Sequence, residues 1–181
     1  MKTYLTTILL FISILCFSQD EIKLYHENGN LKEEYILVDG KKHGLSKIYF
    51  RSNGNLKEEG NFVNGKKNGI WKEYFKSGNL RDERSWVNGV KHGIIKSWWS
   101  SNGELRLEGT MINGKENGLW KYTWDNGNLQ YEGKYLDGKE DGPWKEGYEN
   151  GNLKEEGNYI KGEKTGLWKY YWENGKLKEV K

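Results

Sequence analysis

Short runs of alternating apolar and polar residues follow one another from residue 19 onward, and glycine-containing turns separate them. Residues 119–124 and 153–160 are typical runs, rich in aromatic or β-branched side chains and free of proline. Such runs predict β-strands, and no helical periodicity is found beyond residue 18. The pattern therefore predicts an all-β chain of about fourteen short antiparallel strands.

The turns recur at a nearly constant interval of 24 or 25 residues, at Gly29, Gly54, Gly78, Gly103, Gly127, Gly151 and Gly175. Two further glycine series, which begin at Gly40 and Gly44, keep the same spacing. Each repeat is interpreted as a β-hairpin, because Asn-Gly favours a type I′ turn, in which both central residues have φ > 0. The repeats predict an elongated, single-layer meander of about seven units, each touching only its neighbours.

The turns also predict the strand register. Counting back from the corners Asn126-Gly127 and Asn150-Gly151 gives five pairs: Trp120–Gly133, Tyr122–Tyr131, Trp124–Leu129, Trp144–Gly157 and Tyr148–Leu153. A large indole opposite a glycine can lie flat across the neighbouring strand. Trp71 departs from this rule, because Arg84 stands opposite it. Lys and Glu alternate on the other face, where cross-strand pairing is expected to solvate them.

The composition narrows the class of protein. The chain has 181 residues, a net charge of +3, 35% apolar residues and 14% aromatic residues. It is therefore too aromatic for disorder, and its charge is too balanced for a nucleic-acid groove. Its single cysteine, Cys16, precludes a disulfide scaffold.

The first 18 residues have the pattern of a signal peptide. Lys2 is followed by an apolar run from Leu5 to Phe17, and the sequence becomes polar after Ser18. We expect cleavage between Ser18 and Gln19, export of the mature chain (residues 19–181), and a periplasmic, outer-membrane-associated or secreted location. A lipoprotein signal at Cys16 and an uncleaved anchor are the alternatives.

The sequence offers little for catalysis. His43 and His92 occupy a turn position that holds other small polar residues in the remaining repeats, which favours a structural role. The adjacent carboxylates of Glu58 and Glu59 point to opposite faces of a strand and cannot act on one bond. We therefore expect no enzyme, no cofactor and no metal site.

Aromatic residues are the remaining candidates for function. They either cover their own sheet or form an exposed stripe on which a peptide, a glycan or a lipid headgroup docks. The candidate binding stripe consists of Trp71, Phe75, Trp99, Trp120, Trp124, Trp144, Tyr148, Trp168 and Trp172.

The repeat unit, clearest in residues 118–139 and 166–180, resembles the MORN repeat (membrane occupation and recognition nexus) in its bacterial variant form. The resemblance implies an elongated β-hairpin array used for protein or lipid contact; some bacterial members are labelled antitoxins of toxin–antitoxin systems. Together with the predicted signal peptide, the resemblance indicates a non-enzymatic extracytoplasmic scaffold with an unknown protein partner, antitoxin-like or immunity-like. The alternative is an envelope module that binds glycan or a membrane surface through the aromatic stripe.

If the indoles cover the sheet, Trp144→Ala is expected to lower the free energy of unfolding by about 3 kcal/mol, through loss of a large packed ring. Chemical denaturation of the variant measures this change. Unchanged stability with loss of ligand binding would instead indicate an exposed, ligand-contacting ring.

Overall fold

A computed structural model describes residues 19–181, so the predicted signal peptide lies outside the described residues. These residues form one open sheet in which every strand pairs antiparallel with its neighbours in sequence, from β1 to β14. The predicted single-layer meander is confirmed. The strands are β1 (Gln19–Tyr25), β2 (Leu31–Val38), β3 (Lys41–Tyr49), β4 (Leu56–Val63), β5 (Lys66–Tyr74), β6 (Leu80–Val87), β7 (Val90–Trp98), β8 (Leu105–Ile112), β9 (Lys115–Thr123), β10 (Leu129–Leu136), β11 (Lys139–Gly147), β12 (Leu153–Ile160), β13 (Glu163–Tyr171) and β14 (Leu177–Val180).

Two-residue turns alternate along the sheet with longer turns, which hold three residues, or four at Gly54 and Gly103. In the two-residue turns both central residues have positive φ, about 50° at the first and 71–90° at the glycine, as a type I′ turn requires. Asn and Asp hold the first position in five of these turns, because they tolerate the left-handed conformation. The six turns are Asp39-Gly40, Asn64-Gly65, Asn88-Gly89, Asn113-Gly114, Asp137-Gly138 and Lys161-Gly162.

The corner at Asn126-Gly127 is of the other kind, and the type I′ turn predicted there is wrong. The Trp124 amide donates to the Asn128 carbonyl (2.8 Å), and the Gly127 amide donates back to the Trp124 carbonyl (3.0 Å). Only Gly127 has positive φ, at 82°. This is a three-residue loop, in which a type I turn ends in a left-handed glycine.

The longer loop changes the register nearest the corner. Leu129 faces Thr123 instead of the predicted Trp124, and Leu153 faces Gly147 instead of Tyr148. A bulge beside each loop restores the register further along the strands. The deeper predicted pairs are confirmed: Trp120–Gly133, Tyr122–Tyr131, Trp144–Gly157 and Trp71–Arg84.

Asparagine side chains join successive three-residue turns along one edge of the sheet. The side-chain amides of Asn126 and Asn128 both donate to the Glu149 carbonyl of the next turn, at 2.7 and 2.8 Å. Asn150 and Asn152 repeat this arrangement on the Glu173 carbonyl. The asparagines therefore connect hairpins as well as close them.

Alternate residues of a strand point to opposite faces, and one face carries the large indoles. This indole face holds Trp71, Ile95, Trp120, Trp144 and Trp168 at equivalent positions of five repeats. Each indole lies over a glycine of the preceding strand. A Cβ atom built on Gly109 would lie 2.1 Å from Trp120 Cδ2. The other such pairs are Gly60–Trp71, Gly133–Trp144 and Gly157–Trp168.

The direction of this covering differs from the prediction. Trp120 does stand opposite Gly133, but its indole extends the other way, over Gly109 of β8. Its Nε1 donates to the Thr110 carbonyl (3.2 Å), which fixes the ring on that side. Trp71 and Trp168 make the equivalent bond. The preceding strand prevails because the indole finds both bare backbone and a carbonyl acceptor there.

The corrected pairing also removes the anomaly at Arg84. Trp71 covers Gly60 of the preceding strand, so Arg84 is not its covering partner. The residue at the covering position opposite Arg84 is Ile95 of β7. Where the glycine position holds Tyr35, the indole position holds Ser46. A large side chain therefore occupies one member of each pair, and a smaller residue occupies the other.

The opposite face, termed the ladder face, carries a strictly alternating series of charges. One residue of each strand from β1 to β13 takes part, and each Lys from Lys47 to Lys145 stands between two Glu, which confirms the predicted cross-strand pairing. Lys23 and Lys169 end the series and have one Glu neighbour each. The Nζ–Oε1 distance is 3.1 Å for Lys96–Glu108 and 3.4 Å for Lys169–Glu156. The series is Lys23, Glu34, Lys47, Glu59, Lys72, Glu83, Lys96, Glu108, Lys121, Glu132, Lys145, Glu156 and Lys169.

Gly109→Ala is expected to lower the free energy of unfolding by about 3 kcal/mol, because its methyl group would overlap the indole of Trp120. Adding Trp120→Ser, which copies the natural Tyr35/Ser46 combination, should remove that overlap. The loss in the double variant should be smaller than the sum of the single losses by at least about 1 kcal/mol. Urea denaturation followed by circular dichroism measures the three variants. Strict additivity would contradict the pairing.

Candidate functional site

The nine aromatic residues of the candidate stripe fall into two columns. Four belong to the covering indoles, and three of these are almost fully buried: Trp71 and Trp120 are 4% exposed and Trp168 is 3% exposed. Their ring faces contact the sheet and neighbouring side chains, so these three rings do not form an open stacking surface. They match the interpretation in which aromatics cover their own sheet.

The remaining five, which we term the edge column, lie at the longer turns, of four residues beside Trp99 and of three beside the others: Phe75, Trp99, Trp124, Tyr148 and Trp172. The polar atoms of Trp99, Trp124 and Tyr148 bond to the next repeat. Trp124 Nε1 donates to the Gly147 carbonyl (3.2 Å), and the Tyr148 hydroxyl donates to the Tyr171 carbonyl (2.9 Å). These rings are half-buried, except Trp172, which is 52% exposed.

Trp144 differs from the other covering indoles. Its benzo ring, through Cε3 and Cζ3, lies over Gly133, whereas the other three lie over their glycines through the central ring bond. The preceding residue is Pro143, whose ring fixes φ, and Gly142 has φ 123° against 66–104° at equivalent glycines. Trp144 is half-buried and is the most accessible of the four.

Sequence reasoning missed a column of exposed aliphatic residues on the ladder face. Each member directly precedes a covering position and points away from it. Leu119 and Ile70 are 54% and 53% exposed, and Leu167 is 75% exposed. The 24- or 25-residue period was a usable signal, since the column is Leu45, Ile70, Ile94, Leu119, Pro143 and Leu167. A second exposed series on the same face runs beside the two-residue turns, from Val63 to Ile160.

Charged groups cluster on the indole face at β5–β7. Asp82 is 6% exposed; it accepts the Ser97 hydroxyl (2.5 Å) and pairs with Arg81 and Arg84 at 2.7 and 3.1 Å. Burial raises the pKa of this carboxyl, but the Ser97 bond and the two guanidinium groups outweigh it, so the pKa lies below its usual value. Both arginines also reach Glu73 (3.1 Å).

Four near-parallel rings form a continuous stack on the indole face at β9–β11. Trp120 and Tyr122 have ring centroids 6.4 Å apart, Tyr122 and Tyr131 are 4.2 Å apart, and Tyr131 and Trp144 are 5.2 Å apart. Tyr135 meets both indoles edge-on. Burial is the main cause that raises the pKa of Tyr131 well above its usual value, and a hydrogen bond with Tyr122 is the second. Tyr131 is therefore uncharged at neutral pH.

His43 and His92 lie within β3 and β7, not in turns, because the two-residue turns close two residues earlier. Within residues 19–181 no group of three His, Cys, Asp or Glu side chains is placed to hold a metal ion. Among residues 19–181 there is no helix that could cross a bilayer.

The alternating hairpins, the glycine-covering indoles and the exposed columns can be compared with known families. A sequence family described as "MORN repeat variant" matches residues 21–38, 42–64, 67–88, 116–137, 140–161 and 164–180, more than half of the chain. The chain belongs to the MORN repeat variant family. None of the curated proteins compared with it matches.

MORN repeats generally serve as scaffold modules for protein or membrane interaction, and the family is typically non-catalytic. The unmatched residues 89–115 hold β7 and β8. These MORN strands pair in the sheet as the others do, although Ile95 replaces the covering indole there.

Asp82→Asn is expected to lower the free energy of unfolding at pH 7 by about 2 kcal/mol, because it weakens charged hydrogen bonds in a buried site. Since the folded-state pKa is depressed, the contribution of Asp82 is present above its unfolded-state pKa and is lost as pH falls through the folded-state value. Urea midpoints of wild type and variant should therefore converge at acidic pH. Glu179→Gln, at a more exposed ion pair, is the control. A constant difference at all pH values would contradict this assignment.

Proposed function

We propose that this MORN repeat chain is a non-enzymatic scaffold that binds a protein partner through its ladder face. The exposed aliphatic column is the observation that carries the proposal. A single-layer sheet has no second layer to cover these side chains, and contiguous exposed apolar surface marks interaction sites. The family relationship supports an interaction role.

The charges on the ladder face favour a protein over a membrane. The ladder alternates in sign from strand to strand, so its net field is small and gives no attraction to an anionic lipid surface. The aliphatic side chains recur every second strand, about 10 Å apart. A protein with regularly spaced apolar residues and charges of both signs would complement such a face.

Export of the mature chain remains part of the proposal. The basic start and apolar run before Ser18 support it. Within this framework an antitoxin-like or immunity-like role is restricted to a toxin outside the cytoplasm. Fractionation of cells, with mass spectrometry of the N-terminus, tests export and the cleavage at Ser18–Gln19; an intact N-terminus in the cytoplasm would contradict both.

A glycan-binding envelope module is the second candidate. It is favoured by the edge column, whose rings are partly open, and by Trp172, where Lys178 Nζ lies 4.4 Å from the ring centroid. Stacking on sugar rings and hydrogen bonding by Lys would suit a polysaccharide. This candidate uses a different surface from the first, so variants separate the two.

A photo-crosslinkable residue at Leu119 is expected to capture one envelope or extracellular protein in near-stoichiometric yield. Leu119→Glu should reduce co-purification of that protein by at least about tenfold, the equivalent of 1.4 kcal/mol. Leu24→Glu is the matched control, since Leu24 is an exposed leucine on the indole face. Recovery of polysaccharide alone, sensitive to Trp172→Ala and not to Leu119→Glu, would favour the second candidate.

A further inference from the structure

Hollows recur on the ladder face between successive residues of the aliphatic column. The clearest lies across β7–β9 and has a volume of about 270 Å³. Ile94 and Leu119 form its walls, and Thr110 of the intervening strand lines it between them. Glu108 and Lys121 of the charge ladder lie at one end. The same construction is found across β11–β13, with about 250 Å³, and across β1–β3, with about 460 Å³.

The pairing of the strands explains why walls and hollows alternate. Each column residue stands on an odd-numbered strand, and its partner on the following even-numbered strand is polar. Ile94, for example, is 51% exposed and pairs with Thr110. The pairs are Leu45–Asn61, Ile70–Ser85, Ile94–Thr110, Leu119–Lys134 and Pro143–Asn158. Aliphatic side chains thus project from odd strands, and the three hollows lie over even strands.

The charge ladder follows the same parity, with lysine on odd strands and glutamate on even ones. Lys96 of β7 stands two residues after Ile94, and its partner Glu108 of β8 stands two residues before Thr110. The charges and the aliphatic column therefore form two adjacent rows with one common period of two strands. A surface that complements one row at a given offset also complements the other.

We propose that the partner bound by the ladder face is a second copy of this chain, packed face to face about a two-fold axis that runs parallel to the strands between β7 and β8. Such an axis keeps the level of each residue along its strand and reverses the order of the strands. Every odd strand of one copy then lies over an even strand of the other, and all the described strands overlap. The inference rests on the scaffold function proposed above and names the partner of that face.

This arrangement satisfies both rows at once. Ile94 enters the hollow at Thr110 of the second copy, and Lys96 meets Glu108 of the second copy. The other two hollows receive column residues of the second copy in the same way, Leu45 across β11–β13 and Leu167 across β1–β3. A register shifted by one strand would instead set lysine against lysine and one aliphatic wall against another, so charge complementarity selects the register.

The period of the face favours an identical sheet over other partners. Column residues recur about 10 Å apart, every second strand. Two turns of an α-helix span about 10.8 Å, and three residues of a polyproline-type chain span about 9.3 Å, so both drift out of step over several repeats. A second copy has the same spacing at every repeat.

The ladder face is large enough for a stable dimer. Fourteen strands about 4.8 Å apart, most of them eight or nine residues long at about 3.3 Å per residue, give a footprint of roughly 1,700 Å². Two twisted sheets cross at about 30°, so their contact is closest around the two-fold axis. Half of the footprint already matches the roughly 800 Å² that each partner buries in a standard interface.

Sedimentation velocity of the mature chain is expected to show a reversible dimer that predominates at about 100 μM. Ile94→Glu should weaken dimerisation by about tenfold or more, because a carboxylate would enter the hollow of the other copy. Leu24→Glu, the control on the indole face, should change the dissociation constant by less than about twofold. Circular dichroism verifies that each variant is folded. A monomer at every concentration, or equal weakening by both variants, would overturn the proposal.

Charge reversal tests the register independently of the hollows. Lys96→Glu sets two carboxylates against each other across the interface and should weaken dimerisation by about tenfold. Lys96→Glu combined with Glu108→Lys restores opposite charges between the copies, although it places like charges side by side within each sheet. Recovery of the dimer by the double variant therefore reports the contact between copies and not the stability of the sheet. A folded double variant that remains monomeric would overturn the proposed arrangement.

Further outcomes separate the dimer from the scaffold function. A photo-crosslink at Leu119 that joins two copies of the chain would support the dimer. Capture of a different protein at Leu119 by a chain that is monomeric would overturn the dimer and leave the scaffold function standing. If Ile94→Glu leaves the dimer unchanged and Leu119→Glu leaves partner capture unchanged, both the dimer and the scaffold function of the ladder face are overturned.

Discussion

Contact between an indole and the bare backbone of a glycine holds this sheet together. A single layer of strands has no second layer to bury its apolar side chains, so each hairpin must provide cover from its own residues. The approach is too close for any Cβ: atoms of Trp120 occupy the place where a side chain of Gly109 would begin. Buried ring area and a bond to the Thr110 carbonyl stabilise the same contact. The combination Tyr35/Ser46 shows that the large residue of such a pair can also stand on the preceding strand, opposite a small one.

Much of the fold followed from the sequence, because periodic glycines and alternating side chains act locally. The strand number, the antiparallel meander and the deep pairs such as Tyr122–Tyr131 were predictable. The register beside the three-residue loops was not, since Asn-Gly is compatible with two turn geometries and the choice between them shifts Leu129 by one residue. The direction of each indole was equally hidden. Trp120 has a glycine on both sides; it bonds to the Thr110 carbonyl beside Gly109, whereas Gly133 is covered by Trp144.

The candidate site was predictable in its residue types but not in its surfaces. Nine aromatic residues were identified as one stripe, yet burial separates Trp168 from the exposed Trp172 only four residues later. The aliphatic column was not predicted, because the sequence around Leu119 is that of an ordinary apolar strand. The exposure of Leu119 results from the absence of a second layer in the described sheet.

Both ordering devices of this sheet repeat every second strand. Lysine occurs on odd strands of the ladder and glutamate on even ones, and each glycine on an even strand meets its covering residue on the following odd strand. Loss or duplication of a whole 24-residue unit keeps charge alternation and ring placement intact on both sides of the junction. A change of one strand would set like charges side by side and leave an indole facing an occupied backbone. The array can therefore gain or lose whole hairpins without changes to its interior, whereas a change of a single strand disrupts it.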